Sequence, residues 1–245
     1  MSLGNKVIGT TTVKLGIYEE DNDEHLAAAL GQVKEMEDGR KFRLCKAGEA
    51  LTAGILVQAP APDAKDDELV VESDAAAGDK EVTITVTAGH GGYDKDALAE
   101  GYMMVTKGAG DIGSFYKIKG NDAMVAESTA TITLYDELNT ALAATTNEVA
   151  VVLNPYKDVV TGSTTAPVLG VPNIAVTSGY YFWAQFAGCA PCTDSGSGVA
   201  AGDYVSHVGG DVVTQGKDSV DGTIGMAMNT AAAGEGVIVF LTGLG

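Results

Sequence analysis

Residues 81–89, EVTITVTAG, alternate strictly: Val82, Ile84 and Val86 fall on one side of an extended chain, and Thr83, Thr85 and Thr87 on the other. A helix would scatter these apolar residues around its axis, whereas a strand gathers them on one face, so the segment predicts a strand buried on one side and wet on the other. TATITLYD repeats the pattern around Ile132 and Leu134, KFRLCK around Phe42 and Leu44, and EVAVVLNPY supplies a more continuously apolar strand that ends at Pro155. YMMVTKG, FYKIKG and, in the tail, GMAMN and VIVFLTG add further strand candidates. Aromatics are only 6% of the chain while glycines number 32, which fits many short strands joined by tight turns. The predicted fold class is all-β, with antiparallel β-barrel or sandwich modules and few short helices. Helical candidates are confined to one or two turns over His25–Leu30 and a short helix or turn over Tyr93–Gly101.

The chain divides at changes of composition. Met1 to about Leu15 is polar and rich in Gly and Thr, and reads as an extended N-terminal arm, residues 1–15. APAPDAKDDE, ending at Glu68, joins two prolines to a run of charges and suits an exposed connection. From about Val159 the chain turns Gly-, Ser- and Thr-rich. These breaks predict a middle antiparallel β domain, 66–159, inserted into a discontinuous barrel-like domain of 16–65 and 160–245. A turn of small residues runs straight into a strand in TAGILVQ, AAGDKEVTITV, AAGDYVS and AAGEGVIVFL. The spacing is irregular, which marks a recurring hairpin style and not a solenoid.

A formal net charge of −18 repels nucleic acid and anionic membrane, so neither is expected as a partner. The only two arginines, Arg40 and Arg43, gather with Lys34, Lys41 and Lys46. This patch admits two readings: a solvated edge strand, or a contact for an acidic partner through Arg40, Lys41 and Arg43. No basic start followed by an apolar stretch and no run of 18 apolar residues is present, so neither a signal peptide nor a membrane span is expected. Three cysteines are too few for a disulfide scaffold and point to synthesis in a reducing cytoplasm.

Catalytic motifs are not found. Cys189-Ala-Pro-Cys192 has the spacing of a thiol pair, yet the residues after it have a loop composition, not that of the helix N-terminus which lowers a thiol pKa. A zinc site has only Cys45 and the scattered His25, His90 and His207 to complete it. Asp94 and Asp96 with Glu100, or Asp218 with Asp221, offer carboxylates for calcium without the EF-hand arrangement, and solvent-facing side chains are the plainer reading. No catalytic, cofactor-binding or metal-binding residue is therefore assigned, and no cofactor is expected. In GYYFWAQFAG, alternation sends Tyr181, Trp183 and Gln185 to one face and Tyr180, Phe182 and Ala184 to the other. The segment reads first as mainly core; alternatively one set packs the core and the other meets a subunit, a shell or a sugar, and on that reading Tyr181 and Trp183 join the candidate contact residues.

The segments DGRKFRLCKAGEALTAGILVQAP, YKIKG, LYDELNTAL, NPYKDVV, GYYFWAQFAGCAP, AAGDYV and IGMAMNTAAAGEGVIVFLTG together resemble a family of tailed-phage virion proteins known largely from marine and environmental phages. The resemblance spans most of residues 38 to 245. It implies a structural, non-enzymatic component of the virion head: a decoration or cement protein on the capsid exterior, bound to the major capsid protein and to itself, as a homo-trimer first. It carries no catalytic residues to transfer. A tail or fibre component that grips a host glycan is the alternative, and an enzyme, motivated only by the histidines and carboxylates, is the third reading.

Overall fold

The structure, a computed structural model, describes residues 13–108, 112–163, 166–194, 196, 198–214 and 222–244. The chain forms two compact units, Met1–Ala61 with Tyr156–Gly245 as unit 1 and Pro62–Pro155 as unit 2. Unit 1 opens with a 3-10 helix, Glu24–Ala29, where helical turns were expected over His25–Leu30; Asp23 caps it, its carboxylate accepting the His25 N–H at 3.0 Å. Strands β1 (Val33–Glu35), β2 (Lys41–Lys46) and β3 (Val57–Gln58) follow. Unit 2 holds β4 (Leu69–Val71), β5 (Glu81–Thr85), β6 (Tyr102–Lys107), β7 (Phe115–Asn121), β8 (Thr129–Leu134) and β9 (Glu148–Val152). The chain then returns to unit 1 as β10 (Val160–Thr161), β11 (Val168–Pro172), β12 (Tyr181–Thr193), β13 (Tyr204–Val208), β14 (Asp211–Thr214), β15 (Gly225–Ala227) and β16 (Gly236–Thr242).

Unit 2 is a closed antiparallel barrel in the order β4-β5-β8-β7-β6-β9. Closure removes every exposed sheet edge, and the alternation in β5 and β8 supplies its interior. Val82 pairs with Ile132 and Ile84 with Ala130, and Val82, Ile84 and Val86 are fully buried. Each such side chain contributes about 1.5–3 kcal/mol relative to exposure. The segment over Tyr93–Gly101 forms successive turns and no helix, because Asp96 and Glu100 take left-handed backbone conformations that interrupt one.

Unit 1 is a curled antiparallel half-barrel sheet in the order β10-β3-β11-β12-β16-β15-β13-β14, with β2 paired to β12 and β1 to β2. β12 is its spine. Tyr181–Gln185 is paired to β2, with β11 joining at Ala184 and Gln185, and Ala187–Thr193 runs on beside β16. The register slips between Gln185 and Ala187, and there the buried Gln185 amide donates to the carbonyls of Ala187 (3.1 Å) and Cys189 (2.8 Å). Of the two readings of the aromatic segment, mainly core or one face left for a partner, the first holds: both faces are covered, and every residue from Tyr181 to Gln185 is buried.

One turn recurs through both units. Four pairs of residues outside the strands form isolated antiparallel bridges: Leu51 with Val176 and Val199 with Ala231 in unit 1, Ala75 with Leu142 and Tyr93 with Met124 in unit 2. Three residues beyond each bridging residue the backbone is left-handed, and a strand follows. Glycine fills that position at 54, 78, 179, 202 and 234, while Asp96, Glu127 and Thr145 fill it in the other three turns. In three turns an acidic side chain closes the loop: Asp79, Asp203 and Glu235 accept the N–H of Ala76, Ala200 and Ala232 at 2.7, 2.9 and 3.0 Å.

Candidate partner-binding surfaces

The five residues proposed from the sequence as partner contacts lie together, but they face inward or toward partners of their own. Tyr181 sits opposite Lys46, Trp183 opposite Leu44 and Ala184 opposite Arg43. β2 is thus an interior strand with β1 along its other side, not a solvated edge. Trp183 is 1% exposed, and its indole Nε1 donates to the Leu15 carbonyl at 2.9 Å. Lys34 donates to the same carbonyl, with its Nζ 4.2 Å above the indole ring. Burial pushes the Lys34 pKa down, and Glu19 opposes that shift. Tyr181 is equally buried and lies under Lys46, whose Nζ is 5.2 Å from the ring and 3.4 Å from Glu24. The Arg43 guanidinium is 4.9 Å from the rings of both Tyr156 and Phe186. Arg40 pairs with Asp38 at 2.7 Å and Lys41 with Glu35 at 3.4 Å. Tyr181 and Trp183 are therefore core residues, and the basic patch is largely neutralised within unit 1. Of the expected arm, residues 1–12 lie outside the described residues, while Val13 and Leu15 are buried in the cluster around Trp183.

The cysteine pair is divided by strand geometry. Three residues apart on β12, Cys189 faces outward and Cys192 inward, where burial pushes its thiol up to about 12. Cys45, also buried, is likewise pushed up to about 12.

Of the histidines, His25 is a surface residue 2.7 Å from Asp23, and His207 lies part-buried on β13 with its pKa lowered by burial. His90 is fully covered in unit 2. Its Nε2 lies 3.1 Å from Asp66 Oδ1, its Nδ1 accepts the Gly92 N–H at 2.8 Å, and the Tyr93 hydroxyl donates to Asp66 Oδ2 at 2.7 Å. Burial raises the Asp66 pKa against those hydrogen bonds. Both imidazole nitrogens are engaged internally, so the cluster pins residues 63–66 to 90–93. Glu100 pairs with Lys117 and accepts the Tyr135 hydroxyl, away from any shared ion with Asp94 and Asp96. Asp218 and Asp221 lie outside the described residues. Among the described residues no group of three or more His, Cys, Asp or Glu side chains is placed to hold a metal.

Each unit also leaves an apolar group of side chains outward. Across unit 1, Cys189, Phe240, Met226 and Tyr204 stand in register on β12, β16, β15 and β13, all on the exposed side of the sheet. Phe240 is 50% and Tyr204 60% exposed, and Ile238 and Met228 extend the same surface along the strands. Cys189 Sγ lies 3.3 Å from Met228 Sδ. No outward position on this stretch of the four strands carries a charge. A groove of about 720 Å³ borders the face, lined by Asp38, Arg40, Ala187, Cys189, Phe240 and Thr242 among others. Unit 2 has its own exposed group: Phe115, Met104 and Val152, with the half-buried Tyr102 stacked on Phe115 at 4.9 Å between centroids. Sequence reasoning passed over both surfaces, although the unbroken apolar run VIVFL carried a signal for the first.

Fold and surfaces together define an all-β protein of a closed six-stranded barrel and a curled half-barrel sheet, each presenting an exposed apolar strand surface. Comparison with protein-family models, with curated proteins and with solved structures finds no match.

Proposed function

We propose that this chain is a non-enzymatic structural protein of a tailed-phage virion that binds the outside of the capsid shell and stabilises it as a decoration or cement protein. The observation that carries the reading is the pairing of an acidic, side-chain-filled β scaffold with exposed apolar surfaces on both units. Monomeric soluble proteins rarely expose contiguous apolar patches beyond a few hundred Å², and such patches mark sites of association. Two surfaces suit a protein that must hold both a shell and a neighbour, and many weak contacts at high copy number sum to a firm hold. The likeness of the segments between residues 38 and 245 to virion proteins of tailed phages supports the same reading and supplies its particular setting.

The test is co-sedimentation of the purified chain with empty capsid shells, followed by imaging of the decorated particle. Copies in a fixed ratio to the capsid subunit, on the shell exterior, are expected; no binding, or a handful of copies at the portal or tail, overturns the assignment. A tail or fibre component that binds a host glycan is the second reading, favoured by the exposed Phe115 ring stacked on Tyr102 in unit 2. Glycan-array binding that disappears on Phe115→Ala would select it.

A further inference from the structure

We infer that the charge-free outer face of β12, β16, β15 and β13 is covered by a second copy of this chain, packed face to face about a two-fold axis. The inference rests on reading the chain as an assembly protein and names the partner of one of its surfaces. Charge selects the occupant. With 33 acidic and 15 basic residues, two copies brought together through most of their surface set like charges against each other. The face bearing Cys189, Phe240, Met226 and Tyr204 is different: its outward positions are uncharged, so a copy of the same face meets it without that repulsion. An apolar face is also complementary to itself, which a two-fold interface requires and a one-signed charged face cannot provide.

Size sets the strength of the pair and does not choose the occupant. Four strands about 4.8 Å apart, with β16 rising about 3.3 Å per residue, give a flat footprint on the order of 400 Å² before side-chain relief. That is about half of the ~800 Å² each partner contributes to a standard interface, so the pair is expected to be weak and concentration-dependent. The groove beside Phe240 adds a recess, between Arg40 and Thr242, able to take apolar side chains of the facing copy. A single flat face covers one other copy, which yields a dimer where the resemblance implied a trimer.

The experiment is analytical ultracentrifugation of the full chain over a wide concentration range, beside Phe240→Lys. Mass doubling with concentration is expected for the wild type. The variant should stay monomeric, because two-fold symmetry buries the new charge twice and raises the dissociation constant by more than roughly a hundredfold. Position 240 is half exposed, so the substitution leaves the fold intact, and Met226→Lys repeats the test from the neighbouring strand. Maleimide labelling gives a second readout, since Cys189 is the one exposed cysteine: its rate per chain should fall as the wild type is concentrated and stay constant in Phe240→Lys. A wild type that remains monomeric, forms trimers, or dimerises unchanged in both variants overturns the inference. A dimer that ignores capsid shells leaves it standing and removes the decoration reading; a monomer that decorates shells does the reverse.

Discussion

Trp183 is the residue whose removal tests the architecture of unit 1 most directly. Its ring is 1% exposed, it lies in the cluster with Leu15, Phe42 and Leu44, and it shares the Leu15 carbonyl with Lys34. Trp183→Ala deletes the largest side chain of that core, a loss of about 3–5 kcal/mol. For a unit of this size that corresponds to a fall in melting temperature of about 6–20 °C. Trp183→Phe keeps most of the ring and loses the indole donor, costing about 1–2 kcal/mol. Lys34→Met behaves differently: it replaces a buried ammonium by an apolar chain of similar shape while Trp183 still satisfies the carbonyl, so stability should stay within about 1 kcal/mol of wild type. Scanning calorimetry measures all three. The unit 1 transition is identified in the wild type by fluorescence, for which Trp183 is the sole tryptophan.

Lys34 adds a dependence on pH with a definite sign. Because burial lowers its folded pKa below the ordinary 10.5, the unfolded chain binds the proton more tightly between those two values. The stability of wild type relative to Lys34→Met should therefore rise as pH is raised through the lowered pKa toward 10.5. A cost below about 1 kcal/mol for Trp183→Ala would show that the ring is not packed as described. A relative stability that falls over that pH range would show that the ammonium is a net stabiliser of the fold.

Three further outcomes follow from local geometry. Asp194 Oδ2 accepts the N–H groups of Gly196, Gly198 and Gly234 at 2.9, 3.0 and 3.2 Å, so Asp194→Ala should cost about 3 kcal/mol in urea unfolding, with Asp194→Asn losing less. In thiol titration the native monomer should react at Cys189 alone and the denatured chain at all three cysteines, with no Cys189–Cys192 disulfide on mild oxidation, because the two side chains leave β12 on opposite faces. Thr145 is a β-branched residue held at φ 58°, where the equivalent position of five sister turns is glycine; Thr145→Gly should raise the melting temperature of unit 2, a gain of about 0.5–1 kcal/mol.

The strands were legible wherever one face is wet. β5 and β8 alternate Val and Ile with Thr because one side meets the barrel core and the other meets solvent, and that contrast survives in the sequence. The recurring turn was only half legible. Four of the eight copies announce themselves as small residues around a glycine, among them Gly78 and Gly234; the copies at Asp96, Glu127 and Thr145 adopt the same left-handed backbone without one, so composition hides them. Bridge pairing such as Ala75 with Leu142 joins residues far apart in the chain, which no local pattern records. The segment over Tyr93–Gly101 has the apolar spacing of a short helix, and only the left-handed residues at 96 and 100 break it.

The candidate surface was hidden for a different reason. β12 over Tyr181–Gln185 and β16 over Val237–Leu241 both read as runs with few polar positions, and in both the alternation that separates core from solvent is missing. In β12 the chain supplies both coverings: β2 and β11 take its edges, and Leu15 with its neighbours closes over Trp183. In β16 the chain supplies one. Val237, Val239 and Leu241 are buried in the half-barrel, while Ile238 and Phe240 remain 49% and 50% exposed. The two runs are indistinguishable as sequence, because the difference lies in how many layers the topology stacks against each strand. The aromatic segment supplied candidate contact residues and is already covered, whereas β16 still turns Ile238 and Phe240 outward. A run apolar at both parities thus predicts that a second layer exists, and the fold decides whether that layer belongs to the same molecule or to the next one.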